Sequence, residues 1–164
     1  MDEFLGIYLR DQLALGVGWR ELARRAQRNN RGTPLGEALA EVAEQIGEDV
    51  ETFRSIMGRL GVRVDPLRTA LATVGERVGR LKPNGRLVGY SPLSRFLELE
   101  VLVMGIDRKK QLWHTLADLA DLRTRLPDVD FDELVARAER QRQRLEPFRR
   151  RVGSDVFTAT SPRG

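Results

Sequence analysis

The chain has 164 residues, with 28 basic side chains against 24 acidic ones, a net charge of +4 and a calculated pI of about 10.1. The absence of cysteine excludes disulfides, thiolate metal sites and a cysteine nucleophile, and a single histidine excludes any two-histidine ligand set. Such a length suits one domain, which buries roughly two thirds of the surface its unfolded form exposes.

The first helix is predicted from Asp2 to Asn29. Its seam is Leu5, Tyr8, Gln12, Leu15, Trp19, Leu22 and Ala26, at spacings of three and four residues. Asn29-Asn30-Arg31-Gly32 supplies residues that tolerate left-handed backbone and ends it. Thr33-Pro34 then reads as an N-cap followed by the first helical residue. The second seam, Leu35, Leu39, Val42, Ile46, Val50, Phe53, Met57 and Leu60, runs until Gly61. So short a link requires the two helices to lie antiparallel as a hairpin.

A third, shorter helix is predicted from the Asp65-Pro66 cap to Pro83-Asn84-Gly85, burying Leu67, Ala70, Leu71, Val74, Val78 and Leu81. Ser91-Pro92 starts the fourth, which is expected to reach about Leu122. Asp128 to Asp132 opens the fifth, running to about Val152, and Pro127 separates these last two into a second hairpin. The domain is expected over 1–152. Residues 153–164 lack periodicity and are expected to form a flexible tail.

Polar residues on or beside the apolar seams are the candidates for buried chemistry: Gln12, Asp49, Glu98 and Arg142. By helical projection Glu37, Glu41, Glu44, Glu48 and Glu51 lie more than about 90° from the core face of the second helix, whereas Asp49 lies roughly 55° from its centre. Gln12 and Asp49 fall at nearly the same level of the first hairpin, so a hydrogen bond between them is expected. Glu98 sits in the run Phe96-Leu97-Glu98-Leu99-Glu100-Val101-Leu102 and needs a cation, for which Arg95 and Arg142 are the expected partners. Glu100, Asp107 and His114 share a heptad spacing, but neighbours lie about 10 Å apart, too far to share one ion. His114 is expected at the surface.

Two long hairpins joined by a traversing connection resemble the ferritin-like four-helix bundle, with its up-down-down-up order; here an extra short helix lies in the crossover. Di-iron members of that superfamily place a Glu on each of two helices and a Glu-x-x-His on the other two, all facing inward. In this chain Gln12 stands on the first helix, Asp49 on the second with no His three residues later, Glu98 on the fourth, and Gln141 and Arg142 on the fifth. The resemblance therefore implies an all-α bundle whose di-iron centre has been lost, with no cofactor and no catalytic residue. Its alternative is a reduced carboxylate metal site.

Between Arg59 and Arg95 the basic residues Arg68, Arg77, Arg80, Lys82, Arg86 and Arg95 make the crossover a local basic patch, a second alternative being phosphate or nucleic-acid binding there. No RNA-recognition aromatic motif, zinc finger or helix-turn-helix accompanies it. No Gly-x-Ser-x-Gly elbow, phosphate loop or dinucleotide fingerprint is present either. The start, Met1-Asp2-Glu3-Phe4, lacks the basic and apolar regions of a secretory leader, and no stretch approaches about eighteen uninterrupted apolar residues, so a cytoplasmic protein without a membrane span is expected. From Leu93 to Ile106 apolar residues point in nearly every direction, which requires cover on all sides. The third helix and the loop Leu87-Val88-Gly89-Tyr90 are expected to supply part of that cover and a second copy of the chain the rest, giving a homodimer, so that the protein acts by self-association or partner binding. Gly16, Gly18, Gly36 and Gly47, inside helices, are expected to mark close approaches of backbones.

Overall fold

The computed structural model describes residues 3–64 and 90–158, and every regular element among them is helical. Helix α1 spans Glu3–Asn29, α2 Pro34–Arg59 and α3 Pro92–His114. A π-helical turn, Thr115–Leu119, and the one-turn α4, Leu122–Arg125, then lead to α5, Phe131–Thr158. The helix expected from Asp65 to Pro83, with its seam Leu67 to Leu81, lies outside the described residues.

Local chemistry sets the boundaries. Thr33 Oγ1 accepts from the Gly36 N–H at 3.1 Å and Pro34 follows at the first helical position, where its missing N–H costs nothing. Gly36 itself is obligatory, since a Cβ there would lie 2.1 Å from the Asn30 carbonyl oxygen. At the other end of α2, Gly61 adopts φ +69° and the Val62 N–H returns to the Met57 carbonyl at 2.9 Å, closing the helix with a left-handed cap. Ser91 caps α3 through the Ser94 N–H at 3.1 Å, and Asp130 caps α5 through the Glu133 N–H at 2.9 Å.

Cross-helix contacts give the directions. Along α1 and α3, Gln12 meets Arg108, Trp19 meets Gly105 and Arg25 meets Glu98, so the numbering runs in opposite senses. Along α2 and α5, Glu41 meets Arg144, Asp49 meets Arg137 and Arg59 meets Asp128, again antiparallel. The closest packing thus runs in the cyclic order α1, α2, α5, α3. Asn30, in the α1–α2 turn, donates to the Tyr90 hydroxyl at 2.8 Å. Helix α3 therefore starts beside that turn, at the opposite end of the molecule from the close of α2.

The core divides into two clusters. One joins Leu9, Leu13, Phe53, Met57, Trp113 and Phe131; the other joins Leu22, Leu39, Ile46, Leu102, Ile106 and Leu145. Each long helix contributes to both clusters, and polar side chains lie close to the change.

Three expectations need correction. Helix α3 does not continue to Leu122, because buried Leu116, Ala117, Leu122 and Leu126 leave a gap of five residues that no straight helix keeps on one face. The π turn, closed by the Ala120 N–H on the Thr115 carbonyl, and left-handed Asp121 re-aim the chain. Helix α5 does not stop at Val152 but continues to Thr158, because buried Gly153 lets Phe96 pack on its backbone and Phe157 meets the Phe96 ring edge-on at 5.3 Å. Residues 159–164 of the expected tail lie outside the described residues. Finally, a Cβ on Gly16 or Gly47 would meet only ordinary contacts, at 3.5 and 3.9 Å. Gly36 does mark a close backbone approach, and a further one, to a side chain, is at Gly105, where a Cβ would lie 2.7 Å from the Trp19 indole.

That contrast predicts opposite effects of one substitution. Gly105→Ala should destabilise by about 1 to 3 kcal/mol through overpacking against Trp19. Gly58→Ala, with no atom within 4 Å of the new methyl, should stabilise by about 0.5 to 1 kcal/mol. Urea unfolding measures both, and equal effects would contradict the packing described.

Candidate functional site

Midway along the molecule the four long helices each contribute polar side chains to one layer. These are Gln12 from α1, Asp49 from α2, Arg108 and Lys109 from α3, and Arg137 and Gln141 from α5. Spacing explains their position. Asp49 lies between Ile46 and Val50 on the buried face of α2, and Gln141 between Ala138 and Leu145 on that of α5.

Asp49 is 3% exposed and is the hub. The Lys109 ammonium and the Arg137 guanidinium both donate to its carboxylate, one to each oxygen. Gln141 Nε2 donates to Oδ2 at 3.1 Å, while Gln141 Oε1 accepts from Lys109. Arg137 also reaches the exposed Glu48, at 3.0 Å. Burial pushes the Lys109 pKa below the ordinary lysine range, opposed by the attraction of Asp49 and assisted by repulsion from Arg137. A buried carboxylate is tolerated when paired and fully hydrogen-bonded, and Asp49 meets both conditions.

The hydrogen bond expected between Gln12 and Asp49 is not formed; Gln12 Oε1 accepts from Arg108 Nη1 at 2.6 Å. The cations of α3 take both groups, Arg108 bonding Gln12 and Lys109 bonding Asp49. Glu98 pairs with neither Arg95 nor Arg142 but accepts from Arg25 Nε at 2.9 Å, because antiparallel packing sets the α1 arginine beside it. Its Oε2 is buried without a hydrogen-bond partner among the described residues. Arg142 stays at the rim, bonded to Glu139 one turn earlier at 2.8 Å, and its neighbour Gln141 is the residue that enters the core. Held by Arg142 and Lys110, Glu139 has its carboxyl drawn down to about 2.

Of the basic patch, Arg68, Arg77, Arg80, Lys82 and Arg86 lie outside the described residues. Arg95 is half-buried, its guanidinium 5.4 Å from the centre of the Tyr90 ring. Burial pushes the Tyr90 hydroxyl up to about 12, with the Asn30 hydrogen bond opposing and the nearby Glu98 charge adding to the shift. His114 is exposed.

The donor set does not fit the di-metal centre that the ferritin-like resemblance brings to mind. The layer holds one carboxylate and two amides, with an ammonium and a guanidinium already on that carboxylate. Among the described residues no group of three His, Cys, Asp or Glu could hold a metal ion. No helix among them is long and apolar enough to cross a membrane.

Beside the polar layer, between α1, α2 and α3, is a cavity of about 50 Å³ walled chiefly by apolar side chains, including Trp19, Phe53, Ile106 and Trp113. Comparison with protein-family models, with curated proteins and with solved structures finds no match to this chain.

Removing the hub strands its partners. Asp49→Ala, which leaves Lys109 buried without a counter-charge, should cost about 3 to 5 kcal/mol. Asp49→Leu combined with Lys109→Met should recover part of that loss. Denaturant unfolding tests this, and an Asp49→Ala variant within about 0.5 kcal/mol of wild type would remove Asp49 as the hub.

Proposed function

We propose that this chain is a cytoplasmic, ferritin-like four-helix bundle without a di-iron centre, acting non-catalytically by pairing with a second copy of itself. The observation that carries the reading is the two-sidedness of α3. Its inner face buries Phe96, Leu99, Leu102, Val103 and Ile106, while Leu93, Leu97 and Met104 form a second apolar stripe on nearly the opposite side, with Val101 at its edge packing partly on the core. Met104 is 65% and Leu93 39% exposed, and Leu97 and Val101 are half-buried. An amphipathic helix facing water on its outer side would carry polar residues at those positions. Two copies related by a two-fold axis would set the stripe against itself.

The bundle reading is supported by the helix directions. With α1 taken as up, α2 and α3 run down and α5 runs up, and α3 begins at the end where α2 also began. The non-catalytic reading is supported by the polar layer, in which the charged groups are directed at one another. It offers neither a pair of free carboxylates nor a nucleophile beside a base.

Light scattering coupled to gel filtration tests the association. Wild type should elute at twice the chain mass of 18.6 kDa. Met104→Asp, at an exposed position that the fold tolerates, should weaken the dimer at least tenfold, equivalent to about 1.4 kcal/mol. A monomeric wild type, or a variant that dimerises unchanged, would refute the proposal.

A further inference from the structure

We propose that the Met104 thioether is an oxidation site whose sulfoxide separates the paired copies, making self-association sensitive to peroxide. The switch rests on the pairing of two chains through α3 and adds its regulation. The chain has three methionines. Met57 is 0% exposed in the core, Met104 is 65% exposed as the most exposed member of the outer stripe of α3, and Met1 lies outside the described residues. Leu93 and Leu97, the rest of that stripe, are hydrocarbon and inert to peroxide. The sulfur of Met104 is therefore the one soft atom on the face that pairs.

The step needs peroxide alone. The sulfur lone pair attacks one peroxide oxygen, the O–O bond breaks as the S–O bond forms, and the second oxygen leaves as water after taking up the proton of the first. Sulfur is oxidised and peroxide reduced, and a flexible apolar side chain becomes a polar one. Arg108, one turn further along the same face, is placed to receive the new oxygen. It is exposed, donates Nη1 to Gln12 Oε1, and has no acceptor for Nε or Nη2 among the described residues. A thioether accepts hydrogen bonds only weakly, so oxidation supplies that acceptor within one chain. Setting the sulfoxide and the guanidinium against the apolar stripe of a second copy then costs the desolvation of both. In the dimer the partner copy covers the thioether, so peroxide reaches it while the chains are apart. Each oxidation withdraws a chain from the pairing equilibrium.

Light scattering coupled to gel filtration, run on the full-length protein before and after hydrogen peroxide, tests the switch, with peptide mass spectrometry to locate the added oxygen. Wild type should pass from dimer to monomer, with pairing weakened about tenfold or more, as Met104 gains one oxygen and Met57 none. Methionine sulfoxide reductases acting on both epimers should restore the dimer. Met104→Leu should dimerise and be indifferent to peroxide, and Met104→Gln, which carries an amide oxygen near the sulfoxide position, should pair as weakly as the oxidised protein without any oxidant. The oxidation rate at Met104 should fall as protein concentration rises through the range in which the dimer forms. A wild type that is monomeric before peroxide overturns the pairing through α3, and the switch with it. In a protein that does dimerise, the switch alone is overturned if the dimer survives full oxidation of Met104, if peroxide separates Met104→Leu, or if the oxidation rate is independent of concentration.

Discussion

A buried carboxylate in the middle of a helical core is the constraint around which this molecule is arranged. Taken alone, an ion such as Asp49 costs several kcal/mol to bury, and no amount of packing by Ile46 or Val50 compensates. Its counter-charges come from other helices, Lys109 from α3 and Arg137 from α5, with Gln141 closing the remaining hydrogen bonds. Sliding any of these helices by one turn, about 5.4 Å, would separate the charges inside a low-dielectric core. The layer thereby sets the register of α2, α3 and α5, while apolar packing on either side supplies most of the driving force.

Further consequences follow from where the layer lies. It splits the apolar core in two, and the seam between the halves is where a cavity persists. The same seam is the level at which the resemblance would bring metal ligands together, and here it is filled by side chains bonded to one another. The α1–α3 contact is closed by different means, with Trp19 lying on the backbone at Gly105 and Gln12 capped by Arg108. Both tryptophans thus border this cavity.

Much of this was legible in the sequence, for reasons that are local. The Thr33-Pro34 and Ser91-Pro92 starts and the Gly61 stop depend on residues within one turn of each other, and the seams of α1 and α2 follow from helical periodicity. Gln12 and Asp49 stood out because each interrupts or flanks an apolar seam. Their partners did not, because pairing across helices depends on directions and registers that no single seam encodes. Lys109 lies in the α3 seam between Gly105 and Leu112, and a lysine there has a long stem that ordinarily carries its charge to water. Arg137 reads as a surface residue until α5 is set against α2. The end of α3 was also hidden, since a π turn has no periodic signature, and Gly153 read as a terminator although it makes room for Phe96.

The central claim is that the mid-core layer is a closed set of ion pairs and hydrogen bonds rather than a set of metal ligands. The most direct test is the metal content of the purified tag-free protein, determined by mass spectrometry after anaerobic incubation with Fe(II) or Mn(II) and removal of free metal. No stoichiometric metal should be retained, by wild type or by Asp49→Asn. Stoichiometric iron or manganese in the wild type that disappears in Asp49→Asn would show that Asp49 is a ligand, and the account of the layer would have to be abandoned.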